Sequence, residues 1–309
     1  MWSKFFNRGI GNNITNSVSV SIFFFLFLLF QSNLTAQAEY EAEIKKWRKD
    51  RLEKLTAPVS WTSLIGLHWL HDGIFTVGNG ERDDVIIHDE ELKESLFMIG
   101  TRDGEFKVFE VENSGLKDEE GNEIGGGDYL IVNKKYQFGK YFFTLIQRGE
   151  KYGMRIWDTQ SPNRFKYTEL PYYPVDQKWI IKGKAIPQSN MTISVKNIMG
   201  MEVEQKVAAL VEAKVGKDKF EFRVFEDDGR YYMVFGDLTN GNTTYGGGRY
   251  VYFDKEDQKG NVTIDFNKSY TPPCGFSQYT TCYLPLPQNR FSFEVKAGEI
   301  FMDEDGVSQ

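Results

Sequence analysis

The residues best suited to chemistry lie in the last third of the chain, between Phe235 and Arg290. There Asp237, Thr239, Asn240, Tyr245, Arg249, Asp265, Asn267, Tyr270, Asn289 and Arg290 stand among glycines and prolines that fix loop shape. Asp237 or Asp265 could act as a general base, and Arg249 could stabilise developing negative charge, as in a hydrolase or lyase. The same set also suits binding: Tyr245, Tyr270 and Tyr279 could stack on a small polar ligand or sugar, with Asp237, Thr239, Arg249, Asn267 and Arg290 orienting it. A third use is structural, with Asp and Asn capping turns and Arg249 paired to Asp265 or Asp237 so that two strands are locked. In that case the chain is an envelope module without a ligand.

Cys274 and Cys282 are the only cysteines and sit eight positions apart in YTPPCGFSQYTTCYLP. The expectation is a local disulfide that braces this loop and stabilises it by on the order of 2 to 3 kcal/mol, with two free thiols as the alternative. No soft ligands flank the pair, so no metal is expected there.

Other catalytic signatures are missing. Gly275-Phe-Ser277-Gln-Tyr279 lacks the last glycine of a nucleophile elbow, and His68, His71 and His88 all precede it. The histidines have no HExxH spacing. Asp254, Glu256, Gln258 and Asp265 only loosely follow a calcium loop, and their glycine is out of place. Gly125-Gly126-Gly127 and Gly246-Gly247-Gly248 lack the spacing of a phosphate cradle and read as turns or bulges. No cofactor and no metal are expected.

The N-terminus sets the compartment. Lys4 and Arg8 precede the apolar block Ile22–Phe30, which is followed by a polar stretch ending in Ala36-Gln37-Ala38. This is the order of a secretory signal, and its core is shorter than the roughly 20 residues a membrane-spanning helix needs. The expectation is cleavage after Ala38 and a protein of the periplasm or exterior, with no stable membrane anchor afterwards. The chain carries 37 basic and 44 acidic residues, a net charge of −7. The leader holds two of the bases and no acid, so the remainder is more acidic still. That balance repels nucleic acid.

The elements that must hold these residues are mostly strands. Residues 39–72 are read as an N-terminal helical segment. In EYEAEIKKWRKDRLEKL, Tyr40, Ile44, Trp47, Arg51 and Leu55 recur at helical spacing, and SWTSLIGLHWL after Pro58 is a second short helix or turn with Ser60 as N-cap. Residues 73–158 give short β runs (GIFTV, DVIIH, LFMIG, EFKVFEV, DYLIV, YFFTLIQR, GMRIWD) split by turn residues, an antiparallel sandwich. Its order resembles a forkhead-associated sandwich. That family reads phosphothreonine through a loop Arg and Ser, but the corresponding stretch here, HDEELKES, is acidic and would repel phosphate.

Residues 159–176 hold three prolines and are read as a linker. Residues 177–309 are read as a second antiparallel sheet curled toward a barrel, with period-two alternation in KFEFRVF (219–225). AALVEA has helical composition, but strand pairing is expected to override it.

The stretch TNGNTTYGGGRYV, followed by IDFNKSYTPPCGFSQYTTCYLPLPQNRF and KAGE, resembles the hallmark of the exported bacterial domain-of-unknown-function family numbered 1684. WTSLIGLHWLHDG and PYYPVD are similar to it too, so the resemblance covers nearly all the chain after the leader. Departures are Gly275 where Ala is usual, Gln288 for Glu and Tyr283 for a proline. A catalytic acid at the Glu position of relatives could not be replaced by Gln288. The resemblance implies export and architecture, and no reaction.

Overall fold

The computed structural model describes residues 35–111 and 114–302. The chain divides into units 1–47 and 48–309. The described part of the first is helical, and the helix runs over 35–55. The expected leader lies outside the described residues except for 35–38. No helix among the described residues is long and apolar enough to cross a membrane.

The second unit is mainly β. Ten strands come first: β1 (Leu64–Leu70), β2 (Gly73–Gly78), β3 (Val85–Ile86), β4 (Phe97–Arg102), β5 (Glu105–Val111), β6 (Lys117–Asp118), β7 (Tyr129–Leu130), β8 (Lys135–Phe138), β9 (Tyr141–Arg148) and β10 (Lys151–Asp158). They form two five-stranded sheets, ordered β1-β10-β9-β8-β6 and β3-β2-β4-β5-β7. Val77, Phe97, Ile99 and Phe106 from one sheet and Phe138, Phe143, Leu145 and Met154 from the other share one core, which makes a sandwich. Pairing is antiparallel except between β2 and β3, which run parallel.

The segment after Pro58 differs from its expectation. Ser60 does begin a 3-10 turn, with a reciprocal capping box to Ser63, but the turn ends at Ser63. Leu64–Leu70 then runs as β1 and pairs antiparallel with β10. A ladder along β10 satisfies every second backbone group of LIGLHWL, which outweighs the helical start. The proline-rich stretch 159–176 is tied down: Arg164 donates to the Thr56 and Ala57 carbonyls, and the Tyr173 N–H donates to the Gly298 carbonyl.

Eight further strands follow: β11 (Ile180–Pro187), β12 (Thr192–Lys196), β13 (Glu202–Lys206), β14 (Ala209–Val215), β15 (Asp218–Asp227), β16 (Arg230–Phe235), β17 (Arg249–Phe253) and β18 (Asn261–Asp265). Six form a sheet ordered β17-β16-β15-β14-β11-β18, and β12 and β13 form a separate hairpin. The sheet curls as a half-barrel, and just past β18 Tyr270 bridges back to Tyr250 of β17 at the opposite edge.

Period two explains both faces. In β14, Ala209, Val211, Ala213 and Val215 are buried while Glu212 and Lys214 are exposed, so AALVEA is strand despite its composition. Phe222 and Val224 of β15 and Met233 of β16 fill the core inside the curl. Fully burying a phenylalanine there contributes roughly 1.5 to 3 kcal/mol. The alternate residues Phe225, Tyr232, Val234 and Tyr250 turn outward into a second cluster with Cys282 and Leu286.

Candidate functional site

Arg249 opens β17 opposite Phe235, the last residue of β16, which sets Asp237 two residues beyond that pairing. The Arg249 guanidinium lies 2.7 Å from the Asp237 carboxylate, and neither side chain is exposed. Its two terminal nitrogens also donate to the carbonyls of Val295 and Ala297. The second Asp237 oxygen accepts from the backbone N–H of Thr239 (2.8 Å), the Thr239 hydroxyl (2.6 Å) and the Val295 N–H (3.2 Å). Burial pulls the Arg249 pKa down while Asp237 opposes it. The pair therefore has no face toward solvent on which to meet a substrate.

The other expected residues are spread among separate tasks. Asp265 caps the turn Phe266–Lys268 by accepting from the Asn267 N–H. Asn267, fully buried, accepts from the Asp176 N–H and donates to the Asp176 carbonyl, which holds the 159–176 segment. Tyr245 packs edge-on against Phe301 at 5.1 Å. Tyr270 has the Arg51 guanidinium 4.6 Å over its ring. Arg51 is in turn held by Glu299 at 3.2 Å. Tyr279 is half-buried, and Arg290 is exposed with its guanidinium against the Gly236 backbone. Asp237, Thr239 and Arg249 come together, as do Asp265 and Asn267, but these nine residues do not line one cleft. Among the described residues no group of three or more His, Cys, Asp or Glu is placed to hold a metal.

The two cysteines depart from the expected disulfide: both are free thiols. The Cys274 backbone N–H donates to the Cys282 sulfur at 3.1 Å, and Cys282 contacts the Thr280 hydroxyl at 3.7 Å. Both the Cys274 main chain, in the 3-10 turn Pro273–Gly275, and its side chain lie against Cys282, the two thiols interacting through a hydrogen bond and not a covalent bond. The loop is braced instead by contacts of this kind, such as Tyr283 donating its N–H to the Tyr250 hydroxyl at 3.0 Å.

An open cleft does exist, on the outward face of the half-barrel where it meets the sandwich. It encloses about 350 Å³, and its aromatic wall is Tyr232, Tyr250 and Tyr252 with Tyr283 and Trp61. Tyr232 and Tyr252 are cross-strand partners whose rings stack at 5.3 Å. Burial pushes all three strand tyrosines well above the ordinary phenol range, so they remain protonated donors at neutral pH. The polar lining includes Gln205, Glu226, Asp227, Thr281 and two arginines, Arg148 at the end of β9 and Arg155 within β10. Trp61, Arg148 and Arg155 also border a second recess of about 360 Å³ that contains Lys54, Lys135 and Trp157.

Residues 165–300 match the family described as protein of unknown function (DUF1684). The DUF1684 stretch contains the Asp237–Arg249 pair, the cysteine loop and the tyrosines of the cleft. It does not include WTSLIGLHWLHDG, Arg148 or Arg155, so the DUF1684 match supplies only one wall of the cleft. A solution NMR structure of an uncharacterised protein of Haloarcula marismortui is 24% identical, covers 45% of this chain and 79% of its own, and has a TM-score of 0.37. No curated protein matches the chain.

Arg155 could have been picked out in the sequence. It is the one charge in the run Gly153–Trp157, all buried, and such a residue in a continuous buried strand asks for a partner. Its neighbours in space, Thr281 and Trp61, are far away in sequence, so no local motif marks the cleft.

Proposed function

We propose that the chain is an exported β-rich protein that binds a small polar ligand, a sugar being the class that best suits its walls. The observation that carries this reading is the cleft of about 350 Å³ walled by Tyr232, Tyr250, Tyr252, Tyr283 and Trp61. Aromatic faces framed by a few fixed polar groups are the usual make-up of a small-ligand site. The walls are also rigid. Three of the tyrosines are held on paired strands, the Tyr252 hydroxyl donates to Asp227 at 2.7 Å, and the Tyr283 hydroxyl donates to Gln205 at 2.9 Å. The site so proposed is this cleft and not the Asp237–Arg249 pair, whose atoms face inward.

The test is a thermal-shift and calorimetric screen of mono- and disaccharides on the chain from Glu39 onward, repeated with Tyr252→Ala and Tyr283→Ala. At least one saccharide is expected to raise the melting temperature of the parent, with affinity falling tenfold or more in both variants. Binding that is indifferent to both substitutions would move the site elsewhere. For export, expression in a bacterial host followed by N-terminal sequencing of the periplasmic fraction is expected to begin at Glu39. Recovery only from the cytoplasm with Met1 intact would remove that half of the proposal.

A further inference from the structure

We infer that the ligand of this cleft carries an anionic group, a carboxylate or a phosphate, held between Arg148 and Arg155; the inference rests on the binding reading above. Both guanidinium groups donate to one neutral atom, the Thr281 hydroxyl oxygen, Arg148 at 2.9 Å and Arg155 at 3.0 Å. Two like charges are thereby drawn together, and among the described residues no carboxylate forms an ion pair with either.

Arg155 is only 6% exposed, its Nε has no hydrogen-bond partner, and its other neighbours include the Trp61 ring at 5.5 Å and the Cys282 thiol. Burial, followed by the Arg148 charge, lowers its pKa to about 10, so it remains cationic at neutral pH. A buried cation is normally neutralised by a partner, as Arg249 is by Asp237 in this same chain. At Arg155 no carboxylate fills that place among the described residues, the Cys282 thiol being the one titratable group of opposite tendency beside it, and the guanidinium borders both recesses.

The surrounding charges say how such a ligand would lie. The recess beyond the arginines adds Lys54 and Lys135, and no acid lines it. The tyrosine cleft has Glu226 and Asp227, each already engaged, by Lys255 at 2.6 Å and by the Tyr252 hydroxyl at 2.7 Å. The anion belongs at the arginine pair, on the side of the lysines, and the uncharged hydroxylated body lies along the tyrosines. Guanidinium groups grip either oxyanion in a fork, so a sugar acid and a sugar phosphate share the chemistry required.

The experiment is isothermal titration of the chain from Glu39 onward with glucose, glucuronate and glucose 6-phosphate at low and high salt, using the parent, Arg148→Gln and Arg155→Met. At least one of the two anions is expected to bind tenfold or more tightly than glucose, with its affinity falling as salt rises and the preference shrinking to within about twofold in each variant. Which anion binds better distinguishes carboxylate from phosphate. Glucose binding as tightly as both anions, or an anion preference that survives Arg148→Gln, overturns the inference and leaves the binding reading standing. Failure of all three probes to bind the parent overturns both for hexoses and their acids. Arg148 is only half-buried and the salt series needs no variant, so a misfolded Arg155→Met does not blunt the test.

Discussion

Arg249 and Asp237 meet at 2.7 Å with no exposure of either side chain, and their bonds tie the ends of β16 and β17 to the 295–297 segment. Removing one partner leaves the other charge buried without its counter-ion. Asp237→Asn and Arg249→Met are each expected to cost about 3 to 5 kcal/mol of stability. The double variant should cost clearly less than the two together. Urea denaturation of the four proteins checks this, and additive losses would mean that the two residues act independently.

The lock between Arg249 and an aspartate was readable as a choice between Asp237 and Asp265, and register decides it. Phe235 opposite Arg249 puts Asp237 within reach, whereas Asp265 caps the turn after β18. Alternation made most strands legible, including β14, where every second residue from Ala209 is apolar and buried. What the sequence hides is joined across long separations. Arg155 reaches Thr281 over 126 residues, and the cleft exists only because the β9–β10 hairpin meets the 273–283 loop there. Tyr245, Tyr270 and Tyr279 look like Tyr232, Tyr250 and Tyr252 in composition. Only strand phase and curl separate the second set, which faces the cleft.

The glycine triplet 246–248 gives a sharp local contrast. Gly248 has φ +92°, and a Cβ there would lie 2.7 Å from the Phe235 carbonyl oxygen and 2.4 Å from the Pro285 ring. At Gly246 the nearest atom to such a Cβ is 3.8 Å away. Gly248→Ala is therefore expected to destabilise by about 2 kcal/mol or more through left-handed strain and backbone overlap, and Gly246→Ala by less than about 0.5 kcal/mol. Thermal melts of the two variants beside the parent read the difference.

Asp89 supplies an acid-sensitive contact in the sandwich. Its hydrogen bond with Lys140, then that from the Tyr141 hydroxyl, lower its pKa from 3.8 to about 2. The folded pKa is depressed, so the stabilisation is complete above pH 4 and fades as pH falls from about 4 to 2. Asp89→Asn should lower the urea midpoint at pH 6, and the gap from the parent should narrow across that acid window. A gap that stays constant down to pH 2 would mean that Asp89 stabilises the sandwich without its charge.

Thr281 is the single acceptor shared by Arg148 and Arg155, which makes it the place where protein and ligand compete for the same donors. Thr281→Val keeps the volume and removes the oxygen, leaving two cations facing each other with nothing between them. The loss should be about 2 to 3 kcal/mol, larger than for an ordinary buried hydroxyl because charged donors are stranded. An oxyanion from solution can occupy the gap, so added phosphate or sulfate should raise the melting temperature of Thr281→Val by more than that of the parent, whereas chloride at equal ionic strength should not. Equal rises in both proteins would mean that the arginines lie too far apart, or too deep, to share an anion once the hydroxyl is gone.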